Sequence, residues 1–200
     1  IIELSIQRGV KPNKVEDNTS NNQRDNINYI VSKHNSTNRK LDVSVHFNAS
    51  AGTSNKGIGT EVLYLTEKTL SAKVSKSIST VSGLIDRGPK LRKDLGFLNG
   101  TNKPAILIEV CFVNSSVDAA IYRRDFNKIC DAISKELCAY VGVTSKPTPS
   151  AQTSNVVFAK DEPGATKWRV TSGAYSSKAA AEAAAKKSGF AYAEIKGTVK

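Results

Sequence analysis

Eight residues, Ala105-Ile106-Leu107-Ile108-Glu109-Val110-Cys111-Phe112, form an almost unbroken apolar run introduced by Pro104. A run of this length rich in branched residues is a strand covered on both faces, as in a mostly parallel sheet flanked by helices. Glu109 interrupts it. A carboxylate there has no local counter-charge and is costly to bury unpaired. It is either part of an ion-paired structural core or an acid/base group whose pKa desolvation raises toward a useful range.

The flanking sequence supplies the rest of an α/β layer. Ile1 to Gly9 reads as the last turns of a helix with a glycine stop, and Val10 to Asn18 as a loop with one short strand near Val15. From Ser20, the spacing of Ile27, Ile30, Val31 and His34 predicts a helix in which His34 completes the apolar stripe instead of serving as a ligand. Leu41 to Phe47 is a strand, with Leu41, Val43, Val45 and Phe47 on one side and Asp42, Ser44 and His46 on the other. A second strand spans Gly59 to Leu65, and Gly57 to Glu61 lacks the spacing of a phosphate loop.

Glu67 to Ser82 reads as a helix with Leu70, Val74, Ile78 and Val81 inward. Lys90-Leu91 and Leu95 to Leu98 read as short strands, and Ser116 to Val141 as the longest helix, with Ile121, Phe126, Ile129, Cys130, Ile133, Leu137 and Tyr140 on its stripe. Strands alternating with helices give an α/β fold. Residues 144–154, rich in Pro, Ser and Thr, read as a linker. Residues 155–200 read as a small strand–helix–strand unit built on Lys167 to Tyr175, an alanine-rich helix capped by Ser177, and Gly189 to Ile195.

Composition narrows the function classes. A formal net charge of +11 over 200 residues is spread along the chain, without a recognition motif that would favour nucleic acid; it fits simple solubility as well as any polyanion, including an anionic cell surface. No apolar run reaches the roughly 18 residues of a membrane span. Cys111, Cys130 and Cys138 have no metal spacing. Cys130 and Cys138, eight residues apart on one helix, are separated by roughly 12 Å, so reduced thiols and synthesis in a reducing cytosol are expected.

His46 stands at the C-terminal end of its strand, where open α/β sheets bind ligands. It reads either as a hydrogen-bonded core histidine or as a zinc ligand. If it lies beside Glu109, both can face one metal-bound water.

Four ordered motifs then carry a resemblance: Val43 to Ala49, Gly59-Thr60-Glu61-Val62, Arg87-Gly88, and Pro104 to Asn114. Together they resemble the zinc-dependent N-acetylmuramoyl-L-alanine amidases, in the type 3 catalytic domain of bacterial autolysins and phage endolysins. The resemblance implies hydrolysis of the amide between muramic acid and L-alanine in peptidoglycan. His46 would be one zinc ligand and Glu109 the catalytic base. It also implies a second histidine and a zinc glutamate, and neither motif is found: Glu3 lies too near the end of its helix, and His34 belongs to a different one. The expectation is therefore a catalytic domain over residues 1–143 lacking its first strand and most of its first helix. The remaining zinc ligands would lie upstream of Ile1, a sheet edge would be exposed, and this polypeptide would be inactive.

The last unit resembles sporulation-related or phage-lysin wall-binding repeats, with Trp168 and Tyr175 available to stack on sugars, although core packing explains such aromatics as well. The expected partners are peptidoglycan and anionic wall polymers, at the bacterial wall. The protein would reach it by release from the cytosol if a phage lysin and by secretion if an autolysin. The competing reading is a wall-polymer binding protein without turnover.

Overall fold

The computed structural model describes residues 1–143 and the strands at 156–160 and 168–172. The chain divides into two compact units, Ile1–Ser145 and Lys146–Lys200. In the first, the element order is α1 (Ile2–Gln7), α2 (Gln23–Asn35), β1 (Asp42–Asn48), β2 (Thr60–Tyr64), α3 (Lys68–Ser82), β3 (Asp86–Leu91), α4 (Gly96–Gly100), β4 (Ala105–Phe112) and α5 (Ser116–Tyr140).

The four strands form one sheet in the order β1-β4-β2-β3. β4 runs parallel to β1 and antiparallel to β2, while β2 and β3 are parallel. The apolar run therefore occupies an interior strand, as its composition requires. Ile106, Ile108 and Val110 of β4 pack with Val62, Val74, Ile78, Ile129 and Ile133 under α3 and α5. Leu107 faces the other way, with Leu63, Phe97, Leu98 and Ile30 beneath α2 and α4. β1 is an edge strand, and its Val45 and Phe47 are 48% and 47% exposed.

Two buried carboxylates tie these layers together. Asp42, at the start of β1, is inaccessible to solvent. It accepts from Arg39 Nε at 2.5 Å and lies 2.6 Å from His34 Nδ1, which anchors the end of α2 to the sheet. His34 is thus a hydrogen-bond partner of Asp42, away from any ligand role, with its ring edge-on to Phe97.

Asp118, in the first turn of α5, accepts from the backbone N–H groups of Ile58, Gly59 and Phe112 at 3.0, 2.8 and 3.3 Å. Its own N–H is capped by Ser115 Oγ. One side chain thereby holds the loop into β2 against the end of β4. Gly59 is required in that loop: its φ is +116°, and a Cβ would meet the Ile85 carbonyl oxygen at 2.1 Å.

Several expectations change. Leu95 to Leu98 is not a strand: α4 begins at Gly96, because a helical turn lets Phe97 and Leu98 both enter the core beneath α2. No strand forms near Val15. Phe126 leaves the apolar stripe and is 47% exposed, since Asp125 adopts non-helical angles (φ −112°, ψ 19°) that break the phase of α5. Val81, at the end of α3, is 36% exposed.

In the second unit, β5 (Val156–Lys160) pairs antiparallel with β6 (Trp168–Ser172), a hairpin partner that the alternation around Trp168 did not reveal. The expected alanine-rich helix, the last strand and Tyr175 lie outside the described residues.

Replacing Asp118 by Asn puts an amide donor against one of three buried N–H groups. Asp118→Asn is expected to lower unfolding stability by about 2 kcal/mol, read as a lower urea midpoint at unchanged m-value.

Candidate active site

Strand register builds the site. His46 on β1 is the direct neighbour of Glu109 on β4, and Glu109 is the direct neighbour of Glu61 on β2. Registered residues of paired strands point to the same face. Asp42, Ser44 and His46 of β1 and Leu107 and Glu109 of β4 share the face covered by α2 and α4; Asp42 is buried at one end of that face, and His46 and Glu109 stand toward the other, where both are less buried. Beyond Glu61, β3 contributes Arg87. The result is a row across four strands: His46, Glu109, Glu61, Arg87.

Each member is held differently. Glu61 is buried, 8% exposed, and both its oxygens are occupied: Oε1 accepts from Asn48 Nδ2 at 3.0 Å and Oε2 from Arg87 Nε at 2.7 Å. The Arg87 guanidinium also lies over the Phe112 ring, 5.1 Å from its centroid. Glu109 is the opposite case. Its Oε2 is buried without a hydrogen-bond partner among the described residues.

Desolvation, first, and the neighbouring Glu61 charge, second, push the Glu109 carboxyl above its ordinary value, with Arg92 opposing them. A carboxylate of raised basicity with an unpartnered oxygen can accept a proton from a bound water. The His46 ring is open to solvent on one side, yet the protein around it lowers its pKa and keeps the imidazole neutral, the form that ligates metals. Its Nε2 lies 2.7 Å from Ser44 Oγ.

Zinc, which the resemblance implies, needs more than this. A catalytic zinc takes three protein ligands, and no group of three His, Cys, Asp or Glu side chains among the described residues is placed to hold one. His46 and the orphaned Glu109 Oε2 are donors in the right place, but they do not make a set, and the described residues alone do not fit the metal. A groove of about 820 Å³ lies elsewhere, along Val43 and Val45 of β1 beside Ile1, Val10 and Leu137, and includes neither His46 nor Glu109.

The register thus brings together the two residues singled out from sequence. Trp168 lies within β6, and Tyr175 lies outside the described residues. Sequence reasoning gave no role to Glu61, Arg87 or Asn48. The available signal was the one used for Glu109: Glu61 also interrupts a buried strand, between Thr60 and Val62.

A family model described as N-acetylmuramoyl-L-alanine amidase matches residues 8–139. Among curated proteins, the endolysin of Bacillus phage SPP1 is 28% identical over 156 aligned positions, covering 68% of this chain and 56% of the phage protein. An uncharacterised 38.4 kDa protein of Clostridium perfringens is 30% identical over 141 positions, covering 63% of this chain and 41% of that protein. The chain therefore spans about half the length of the curated relatives it matches. Among solved structures, the catalytic domain of the CD27L endolysin targeting Clostridia difficile is similar with a TM-score of 0.58 and 26% identity, over 70% of this chain and 75% of that one. The catalytic domain of CwlV, an N-acetylmuramoyl-L-alanine amidase from Bacillus (Paenibacillus) polymyxa var. colistinus, gives a TM-score of 0.52 and 25% identity, over 58% and 66% of the two chains.

Two outcomes follow from the site's electrostatics. A carboxyl whose folded pKa is raised favours the folded state only while protonated, so its stabilisation is complete below the ordinary value of 4.5 and is lost as pH rises through the folded pKa. Glu109→Gln should therefore raise Tm at neutral pH, and the difference should vanish below about pH 4. After dialysis, metal analysis should find well under one zinc per chain, and His46→Ala should lower the residue further.

Proposed function

The chain belongs to the N-acetylmuramoyl-L-alanine amidase family, and from that premise we propose that residues 1–143 are a catalytic unit hydrolysing the amide between N-acetylmuramic acid and L-alanine in peptidoglycan. The observation that supports it most is the juxtaposition of His46 with Glu109, a neutral imidazole beside a carboxylate of raised pKa with one unpartnered oxygen. In this reading Glu109 takes a proton from the water that attacks the scissile carbonyl. It then returns that proton to the leaving alanine nitrogen as the C–N bond breaks. Glu61 adds negative charge beside Glu109 and so favours the proton's transfer to it.

His46 is proposed as one ligand of the zinc that the resemblance implies, the others coming from outside the described residues. Residues 144–154 are proposed as a linker and 155–200 as a wall-binding module. The division of the chain after Ser145 and the Pro-, Ser- and Thr-rich composition support that boundary. The site of action is the bacterial wall, and the net charge of +11 favours contact with anionic wall polymers. Among the described residues no helix is long and apolar enough to cross a membrane.

A second reading, wall binding without turnover, is favoured by one observation, the incomplete ligand set. Digestion of purified walls with zinc supplied separates the two, with new N-terminal alanine as the readout. Alanine exposed by this chain, and reduced at least about 10²-fold by Glu109→Gln with wall sedimentation unchanged, supports the hydrolase. Walls that sediment the chain but yield no new alanine support the binder.

A further inference from the structure

Arg87 is anchored yet has hydrogen-bonding capacity in reserve. A guanidinium has five N–H donors in a rigid fork. Arg87 donates through Nε to Glu61, and Phe112 fixes the plane of the group. Neither Nη nitrogen has a hydrogen-bond partner among the described residues, and the side chain is 38% exposed. The other arginines hydrogen-bonded to a carboxylate differ. Arg8, Arg39, Arg92 and Arg124 each commit at least one Nη to a protein oxygen. Arg87 is thus held in place by its inner edge, with the outer edge of the fork available.

The position of that edge suggests what it meets. Arg87 stands two strands from Glu109 along the row, and strands lie about 4.8 Å apart, so the two residues are about 10 Å apart across the sheet. An extended peptide advances about 3.4 Å per residue. A peptide whose first amide is presented to Glu109, and which crosses the strand ends toward β3, brings its second or third residue over Arg87. Glu61 neutralises only one charge there. Lys90, in register with Leu63 and so on the same face, adds a cation with no carboxylate within 4.0 Å among the described residues.

From this the geometry points to Arg87 as the receptor for a free carboxylate on the second or third residue of the stem peptide, bound two-pronged through both Nη nitrogens. The inference rests on the amide-hydrolysis reading for the direction of the peptide. It makes the chain selective for wall peptides that keep this carboxylate over those in which it is amidated.

The test uses the full chain and N-lactyl-L-alanyl peptides compared in pairs that differ only in whether the free carboxylate of the second residue, or in a second pair that of the third, is retained or converted to an amide. Titration calorimetry should show the carboxylate form bound about tenfold more tightly in one of the pairs. Arg87→Gln should bind both forms at the level of the amide. Arg87→Lys, which keeps a charge for Glu61 but loses the fork, should lose most of the preference, and it serves as the readout if Arg87→Gln unfolds. Equal affinities in the parent for both pairs, a preference that survives both substitutions, or no binding of any of the peptides overturns the proposal. Peptide binding needs no turnover, so the two readings fail separately. A preference without wall hydrolysis removes the hydrolase alone, and hydrolysis without a preference removes the carboxylate subsite alone.

Discussion

β4 has to be paired on both sides and covered on both faces, and the rest of the first unit is arranged to meet that demand. An apolar strand of eight residues exposes backbone groups along two edges, and leaving them unpaired in a core costs more than the apolar burial returns. β1 and β2 meet the need from opposite sides, one parallel and one antiparallel. Helices α3 and α5 cover one face and α2 with α4 the other. The place of every functional group follows from this arrangement, because the strand that must be buried is also the strand that bears Glu109.

The neighbours of Glu109 determine its chemistry. Placed alone in the core it would be expelled or permanently protonated. Toward the end of the strand it is only partly desolvated, and its proton affinity rises without the group becoming inert. Glu61 intensifies this, but both its own oxygens are engaged by Asn48 and Arg87, so it acts through its charge and not as a proton acceptor. Two glutamates in adjacent register thus stand in different environments: both oxygens of Glu61 have partners, and Glu109 has a buried oxygen with none among the described residues. Such a placement costs stability, because the fold disfavours the ionisation of Glu109.

Long-range polar contacts then hold the site's loops. Asp118 reaches from the start of α5 to the loop before β2 and to the last residue of β4. Asn114 donates to Ser50 oxygens and holds the loop after β1. Apart from the Phe112 contact, which is six residues from Asp118, these contacts are short in space and about 60 residues apart in sequence. The position of His46 relative to Glu109 consequently depends on residues that touch neither.

Much of this was legible in the residues themselves. Apolar periodicity placed α2, α3, α5, β1, β2 and β4, because burial of one face or two is recorded locally as a repeat. A charged residue within a buried strand marked Glu109, and the end of β1 marked His46. α4 was misread as a strand, since five residues hold too little of either period to decide, and the Asp125 break that exposes Phe126 has no local signature. Glu61 carried the same local signal as Glu109, a charge within a buried strand, but its partners Arg87 and Asn48 were out of reach for a different reason. They depend on which strands are neighbours and in which register, and a slip of one residue would turn Glu61 to the opposite face. The sequence by itself determined that the chain forms an α/β layer with a carboxylate, Glu109, on its innermost strand. Only the tertiary structure decided that a histidine, two glutamates and an arginine stand in one row, because strand order and register arise from packing between segments that no local pattern connects.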